Sequence, residues 1–273
     1  MRSIAKLMKD WQFTGPNGVT TAVELPHTWN ARDGQDGGND YWRGCCTYCT
    51  RFAAPVYDPA QQQVWLQFEG VNASAAVLLN GQQLCTHDGG YSTFRAEVTE
   101  LLQAENQLTV RVDNSVNDRV YPQKADFTFY GGIYRDVSLL VVNKNHIAVG
   151  HFGDTGVKIT PTLQENSADI QVETLVEGEG TVAVELLDAE GRTVAKGEGE
   201  NAFLHLDAPH LWNGVKDPYL YTCVVRLLQD GQPVDEVTTR VGLRSFSVDA
   251  MCAACPSSCS PSAPARRKAR RPA

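Results

Sequence analysis

The sequence predicts an all-β protein built from two β-sandwiches, and three observations support this prediction. Short runs rich in β-branched and aromatic residues recur along the chain, and turns of Gly, Asn and Asp separate them. No useful length of chain shows the helical period. At 273 residues the chain is also long enough for two ordinary domains.

The first block of strands predicts a jelly-roll sandwich over residues 1–142. The run "VWLQFEGV" covers residues 64–71, and the next run contains Asn80-Gly81 between two apolar stretches. Both residues tolerate positive φ, which makes the pair a strong hairpin signal. Residues 106–114, "NQLTVRVDN", alternate apolar with polar side chains, as a half-buried strand does. The longer loops of this block favour a jelly roll.

The second block, residues 146–249, shows the same pattern of short strand-like runs separated by polar turns, in fewer residues. Two runs are joined by a turn at residues 188–191, and two more are joined at Asp230-Gly231. Four or more strands within about 100 residues, with short polar turns, are typical of an immunoglobulin-like sandwich. The two blocks together give the predicted fold class.

The charge distribution argues against nucleic acid and anionic membranes as partners. The chain has a net charge of −8. Five basic residues and no acidic residue follow Asp249, so residues 1–249 hold 19 basic against 32 acidic residues and a net charge of −13. An acidic body repels polyanions.

The sequence predicts a cytoplasmic protein with reduced thiols. The first residues, "MRSIAKLMKDWQF", contain no apolar run of signal-peptide length, and no run in the chain is long enough to span a bilayer. Thiols in such a compartment stay reduced by default. Cys45, Cys46 and Cys49 are expected to be buried small thiols or part of an exposed edge, not a metal site.

Six stretches occur in an order that is too particular for a generic sandwich. They are "LPHTWNARDG" (25–34), "YWRGCCTY" (41–48), "FEGVNASAAVLLNG" (68–81), "HDGGYSTFRAEVT" (87–99), "DFTFYGGIYRDVSLL" (126–140) and "LWNGVKDPYLYT" (211–222). Together they resemble glycoside hydrolase family 2, the β-galactosidase and β-glucuronidase family, and the fifth stretch leans toward the β-galactosidase side. The resemblance extends from about Trp11 to Asp249.

The resemblance implies a jelly-roll sugar-binding domain and an immunoglobulin-like domain, which in the family precede a catalytic (β/α)8 barrel. Retaining glycosidases use two carboxylates about 5 Å apart, and in this family these are glutamates of the barrel. We expect the chain to lack the barrel, to contain no catalytic residue and to be inactive alone. The parent enzyme would hydrolyse terminal β-galactosides, with β-glucuronides or other β-glycosides as alternatives. We expect no cofactor or metal for the chain itself, and the resemblance implies Na⁺ or Mg²⁺ only as an option for the full-length parent.

Asp126 is the candidate substrate-binding residue. The resemblance implies that the aspartate at this position reaches the barrel mouth and holds the hydroxymethyl side of galactose, in some members through a sodium ion. A carboxylate accepts hydrogen bonds from hydroxyls and is a hard oxygen ligand. The alternative is an aspartate that only caps a turn. His27 in the "LPHTWN" loop also has two possible roles. It could approach the active-site mouth of a full enzyme, or it could stabilise its own loop. Arg135 and Asp136 are expected to form a structural pair.

The composition changes abruptly after Asp249. Residues 250–273 are almost entirely Ala, Pro, Ser, Cys, Arg and Lys. G+C-rich codons yield such residues when read out of phase, so we expect a disordered tail translated in a shifted frame. Its Cys252, Cys255 and Cys259 provide three thiols without a nearby histidine, too few ligands for a structural zinc site.

The sequence is compatible with two functions other than that of an enzyme fragment. The first is a free-standing carbohydrate-binding module, for which the aromatic candidates are Trp42, Tyr91, Tyr121 and Phe129. A fold permits such a use but is a weak argument for it. The second is an assembly domain, because removal of a barrel uncovers apolar surface and promotes self-association.

Overall fold

A computed structural model describes residues 1–31, 41–121 and 128–246. The chain divides into two compact units, Met1–Thr155 and Gly156–Ala273. The described residues form β-strands and one short 3₁₀ turn, Thr99–Leu101, which confirms the all-β prediction. Because they include no α-helix, none of them belongs to a (β/α)8 barrel. Asp126 and the tail from Ala250 lie outside the described residues.

The described part of the first unit contains thirteen strands. They are β1 (Ser3–Lys6), β2 (Trp11–Thr14), β3 (Thr20–Val23), β4 (Cys45–Ala53), β5 (Gln62–Phe68), β6 (Val71–Asn72), β7 (Ser74–Leu79), β8 (Gln82–Asp88), β9 (Phe94–Glu97), β10 (Glu105–Asp113), β11 (Gly132–Ile133), β12 (Val137–Asn143) and β13 (His146–Ile147).

Two antiparallel sheets form the body of this unit. The larger has the order β3-β2-β4-β10-β7-β8, and the smaller has the order β1-β12-β5-β9. Strands β4 and β10 are paired over nine residues each, from Cys45 opposite Asp113 to Ala53 opposite Glu105. The short strands β6 and β11 form a separate pair. This pairing places Asn72, at the end of β6, opposite Gly132, at the start of β11.

The core lies between the two sheets because alternate residues of each strand face inward. Leu108, Val110 and Val112 of β10 and Leu66 and Phe68 of β5 are completely buried. Side chains from both sheets belong to one hydrophobic cluster. Burial of each such side chain contributes about 1.5–3 kcal/mol to the stability of the fold. The alternation of apolar and polar residues in the sequence therefore stabilises the face-to-face packing of the two sheets.

The two predicted hairpins are confirmed. Asn80 and Gly81 join β7 to β8 with φ values of 52° and 84°, and Asp230 and Gly231 have φ values of 49° and 75° at the second hairpin. Two successive positive φ values define the turn that matches the twist of the flanking strands. Both junctions therefore follow directly from the local sequence.

The described part of the second unit contains eight strands. They are β14 (Val157–Leu163), β15 (Ser167–Thr174), β16 (Val176–Glu177), β17 (Thr181–Leu187), β18 (Thr193–Glu198), β19 (Asn201–Asp207), β20 (Tyr221–Gln229) and β21 (Gln232–Val241). Seven of them form two antiparallel sheets, β14-β15-β19 and β18-β17-β20-β21.

Inward residues of these two sheets form a second core. Ile170 and Val172 of β15 and Leu227 of β20 are fully buried. Val184 of β17 and Cys223 of β20 are 1% exposed. A three-stranded sheet facing a four-stranded sheet is the predicted immunoglobulin-like sandwich. No helix in the described residues is long and apolar enough to cross a bilayer.

Candidate functional site

Three loops of the first unit meet at the end of the paired strands β4 and β10. We call them the loop cluster and define it as residues 27–30, 41–44 and 129–133, together with Asn114. The register that sets Cys45 opposite Asp113 also places Gly44 beside Asn114. The Gly44 amide donates to Asn114 Oδ1 at 2.9 Å, and the Asn114 amide donates to the Gly44 carbonyl at 3.2 Å.

A buried asparagine joins all three loops. The Asn30 side chain is 1% exposed. Its Oδ1 accepts hydrogen bonds from the Gly131 amide at 2.7 Å and from Asn114 Nδ2 at 3.1 Å. Its Nδ2 donates to the Trp42 carbonyl at 2.9 Å. A side chain with both a donor and an acceptor is needed here, because the loops expose both kinds of backbone group to one another.

The segment that follows Asp126 is fixed by further hydrogen bonds. Thr28 Oγ1 donates to the Gly131 carbonyl at 2.7 Å, and the Trp29 amide donates to the same oxygen at 3.3 Å. Asn72 Nδ2 donates to the Tyr130 carbonyl at 2.8 Å. The backbone from Tyr130 onward is therefore held on two sides, although Asp126 itself lies outside the described residues.

The two glycines of "YGGIYR" permit this close approach. A Cβ on Gly131 would lie 2.2 Å from a ring carbon of Trp29 and 2.6 Å from Asn114 Nδ2. Gly132 has a φ of +136°, and its Cβ would lie 2.5 Å from the His27 carbonyl oxygen. Side chains are excluded at both positions by space, and at Gly132 also by backbone conformation.

His27 acts within the loop cluster as a structural residue. Its Nδ1 lies 2.7 Å from the Tyr48 hydroxyl, and its ring packs at 4.8 Å from the ring of Phe13. Burial lowers the pKa of His27 and raises the pKa of Tyr48. A neutral imidazole and a neutral phenol therefore share this hydrogen bond, which favours the loop-stabilising interpretation of His27.

The four aromatic candidates for a sugar platform have different surroundings. Phe129 is buried at 8% exposure and lies below the Arg43 guanidinium, which is 5.6 Å from its ring centre. Trp42 is 37% exposed and meets the edge of Trp29. Tyr91 and Tyr121 are exposed at 58% and 73%. Phe129 is therefore part of the interior, whereas three of the four candidates reach solvent.

Arg135 and Asp136 do not pair with each other, so that expectation was wrong. Asp136 forms an ion pair with Lys6 at 2.6 Å. Arg135 reaches the carbonyl oxygens of Glu69 and Tyr91 at 3.5 and 3.4 Å. Arg135 lies at a bend between β11 and β12, and the two side chains contact different partners there.

The cysteines of β4 behave as ordinary strand residues. Cys46 is buried, Cys45 is exposed and Cys49 is intermediate. Burial raises the pKa of the Cys46 thiol to about 12, which makes it a poor nucleophile and metal ligand. Within the described ranges, no group of three or more His, Cys, Asp or Glu side chains could hold a metal ion. Cys252, Cys255 and Cys259 lie outside those ranges.

Glutamates of the strands are engaged in surface ion pairs. Glu173 binds Lys158 at 2.7 Å, and Glu185 binds both Lys196 at 2.9 Å and Arg226 at 2.6 Å. The hydrogen bonds from these two cations lower the pKa of Glu185. A general acid of a glycosidase needs a raised pKa, so Glu185 is unsuited to that role.

Two family profiles match consecutive parts of the chain. The profile described as "Glycosyl hydrolase 2 galactose-binding domain-like" matches residues 38–162, and the profile "Glycosyl hydrolases family 2" matches residues 151–244. The first contains most of the loop cluster, and the second contains both sheets of the second unit.

Curated relatives and solved structures agree with these profiles. A β-glucuronidase from Bacteroides fragilis is 33% identical and a β-galactosidase from Bacteroides ovatus is 30% identical, over 89% and 88% of this chain. The structure of an FMN-binding β-glucuronidase from F. prausnitzii L2-6 superposes with a TM-score of 0.85 and 35% identity over 91% of this chain. The chain spans only 38%, 31% and 40% of these three proteins.

Proposed function

Because the chain belongs to glycosyl hydrolase family 2, we propose that it is the non-catalytic, N-terminal β-sandwich part of a retaining β-glycosidase. The observation that carries this proposal is the match in length. Two sandwiches account for the described residues, and they correspond to 31–40% of relatives that are named as β-glucuronidases or β-galactosidases. The remaining part of such an enzyme would supply the two carboxylates of the reaction.

The proposed substrate class is a terminal β-galactoside, with β-glucuronides as the alternative, because the relatives carry both activities in their names. The proposed location is the cytoplasm. The carbohydrate would be a partner of the complete enzyme and not of the two sandwiches alone.

Asp126 remains the proposed substrate-binding residue of such an enzyme. It precedes a backbone segment that Asn30, Thr28 and Asn72 hold in place. An anchored segment can present a carboxylate to a sugar hydroxyl with little loss of conformational freedom. Since Asp126 lies outside the described residues, the proposal rests on the motif and on the anchored residues that follow it.

Two exposed rings of the loop cluster support the proposal that this surface is normally covered. Trp42 and Tyr130 are 37% and 44% exposed. Where exposed apolar side chains lie close together, they mark an interaction site. In a complete enzyme the catalytic part would cover it, and in the isolated chain it would promote self-association.

Calorimetric titration with galactose and with glucuronic acid separates the fragment from a free-standing sugar-binding module. We expect no binding heat at millimolar sugar, because the ring of Phe129 is buried and cannot stack against a sugar. Binding at millimolar or lower sugar concentration would favour the module. Asp126→Asn would then show whether the binding uses the proposed carboxylate.

A further inference from the structure

Three Asn-Gly pairs occur in the chain, and the fold gives them different surroundings. They are Asn17-Gly18, Asn80-Gly81 and Asn213-Gly214. Glycine has no Cβ, so nothing on it shields its backbone nitrogen from the side-chain amide of the asparagine before it. The three pairs are chemically identical, and differences in their reactivity must therefore come from the structure around them.

The side chain of Asn80 is held by three hydrogen bonds. Its Nδ2 donates to the Leu101 carbonyl at 3.1 Å and to Asn106 Oδ1 at 3.0 Å. Its Oδ1 accepts from the Gln107 amide at 2.9 Å. These bonds must break before the Asn80 side chain can turn toward the nitrogen of Gly81. The folded chain therefore protects this pair.

The pair Asn17-Gly18 is exposed, but both of its groups are engaged in the turn between β2 and β3. Asn17 Oδ1 accepts from the Val19 amide at 3.1 Å. The Gly18 amide donates to the Gly15 carbonyl at 3.0 Å. An N–H group that donates a hydrogen bond loses its proton less readily. We expect this pair to be less reactive than a pair without these two bonds.

The pair Asn213-Gly214 has neither restraint. Asn213 is exposed, and within the described ranges its side-chain amide makes no hydrogen bond and the Gly214 amide donates none. The Asn213 amide donates to the Asp217 carbonyl at 2.7 Å, which anchors the turn. The Asn213 carbonyl accepts from the amides of Lys216 and Asp217 at 3.2 and 3.3 Å, at or beyond the usual upper length of such bonds.

We propose that Asn213-Gly214 is a site of spontaneous deamidation in the folded chain. The Gly214 nitrogen attacks Asn213 Cγ, the bond from Cγ to Nδ2 breaks, and ammonia leaves with the amide proton delivered through solvent. The product is a cyclic imide. Water then opens either of its two C–N bonds and yields aspartate or isoaspartate at position 213. The reaction consumes only water and needs no oxidant or reductant.

Each conversion adds one negative charge to a chain whose net charge is −8. The new carboxylate lies in the same turn as Asp217, whose own carboxylate is 2.7 Å from His210 Nε2. Converted and unconverted chains therefore differ in isoelectric point, which gives a readout in addition to mass. The inference does not depend on the proposed glycosidase role.

Peptide mass spectrometry of the full chain tests the proposal after incubation in mildly alkaline, reducing buffer, with digestion in acid to stop the reaction. In the folded chain we expect Asn213 to convert at least about tenfold faster than Asn80, because the hydrogen bonds of Asn80 must break first. In concentrated urea the three pairs are expected to convert at similar rates. Native isoelectric focusing is expected to show the acidic form accumulating at the rate measured for Asn213.

Gly214→Ala is expected to slow conversion at Asn213 at least about tenfold, because a side chain then shields the attacking nitrogen. A Cβ on Gly214 meets only a ring carbon of Trp212, at an ordinary 3.8 Å. Gly18→Ala is the matched control and is expected to leave the rate at Asn213 unchanged. Circular dichroism shows that both variants remain folded.

Three results would overturn the proposal. The first is an Asn80 that converts as fast as Asn213 in the folded chain. The second is an Asn213 that converts in urea but stays unchanged in the folded chain, since the turn would then protect it. The third is a Gly214→Ala variant that converts as fast as the wild type, since attack by the nitrogen of residue 214 would then be excluded.

Discussion

Asn30→Ala is expected to lower the free energy of unfolding of the first unit by about 3 kcal/mol. The substitution leaves the Gly131 amide and Asn114 Nδ2 without the acceptor they share, and it removes the hydrogen bond that Asn30 Nδ2 donates to the Trp42 carbonyl. Each buried polar group that loses its partner costs about 1–3 kcal/mol. The loops of the cluster would separate before the sandwich core unfolds.

Urea denaturation followed by tryptophan fluorescence measures this effect. Four of the five tryptophans, Trp11, Trp29, Trp42 and Trp65, lie in the first unit, so the signal mainly reports its unfolding. Asn17→Ala is the control, because Asn17 is exposed and makes a single turn hydrogen bond to the Val19 amide. The control is expected to change the stability by about 0.5 kcal/mol or less. Equal effects of both variants would contradict the assigned role of Asn30.

Gly132→Ala is expected to destabilise the same unit by at least about 3 kcal/mol. The new Cβ would lie 2.5 Å from the His27 carbonyl oxygen and 2.9 Å from the Tyr48 hydroxyl, at a φ of +136°. Strained backbone alone costs about 1–3 kcal/mol, and the close contact with backbone adds to this. The substitution also pushes apart the His27 and Tyr48 groups that share a hydrogen bond.

Gly81→Ala provides the matched comparison in the same denaturation experiment. Gly81 also has positive φ, +84°, but nothing lies within 4 Å of a Cβ placed there. Its cost is therefore limited to the backbone preference, about 1–2 kcal/mol. If both alanine variants lost the same stability, the close packing of the "YGGIYR" bend would contribute nothing, and the account of the loop cluster would be wrong.

The strands and hairpins were predictable because their determinants are local. Alternating apolar residues in 106–114 and the Asn80-Gly81 pair each specify a conformation within a few residues. The ordered motifs predicted the family, and they include every residue of the loop cluster except Asn114. Local patterns therefore gave the fold class and the region of interest.

The contacts inside the loop cluster could not be predicted from local patterns. Asn30 and Asn114 are 84 residues apart in the chain, and Asn30 and Gly131 are 101 residues apart. Their hydrogen bonds depend on the pairing of β4 with β10, which the sequence does not specify directly. The burial of Phe129 and the separation of Arg135 from Asp136 depend on tertiary packing in the same way.

We propose that the described residues supply two β-sandwiches and none of the catalytic groups of a glycosidase. Incubation of the pure 273-residue chain with chromogenic β-galactosides and β-glucuronides tests it most directly, with the B. fragilis β-glucuronidase as the positive control. We predict no chromophore release above the buffer rate, because Glu185 and Glu173 are bound to cations and the described residues include no (β/α)8 barrel. Turnover that coelutes with the chain during gel filtration would contradict the claim.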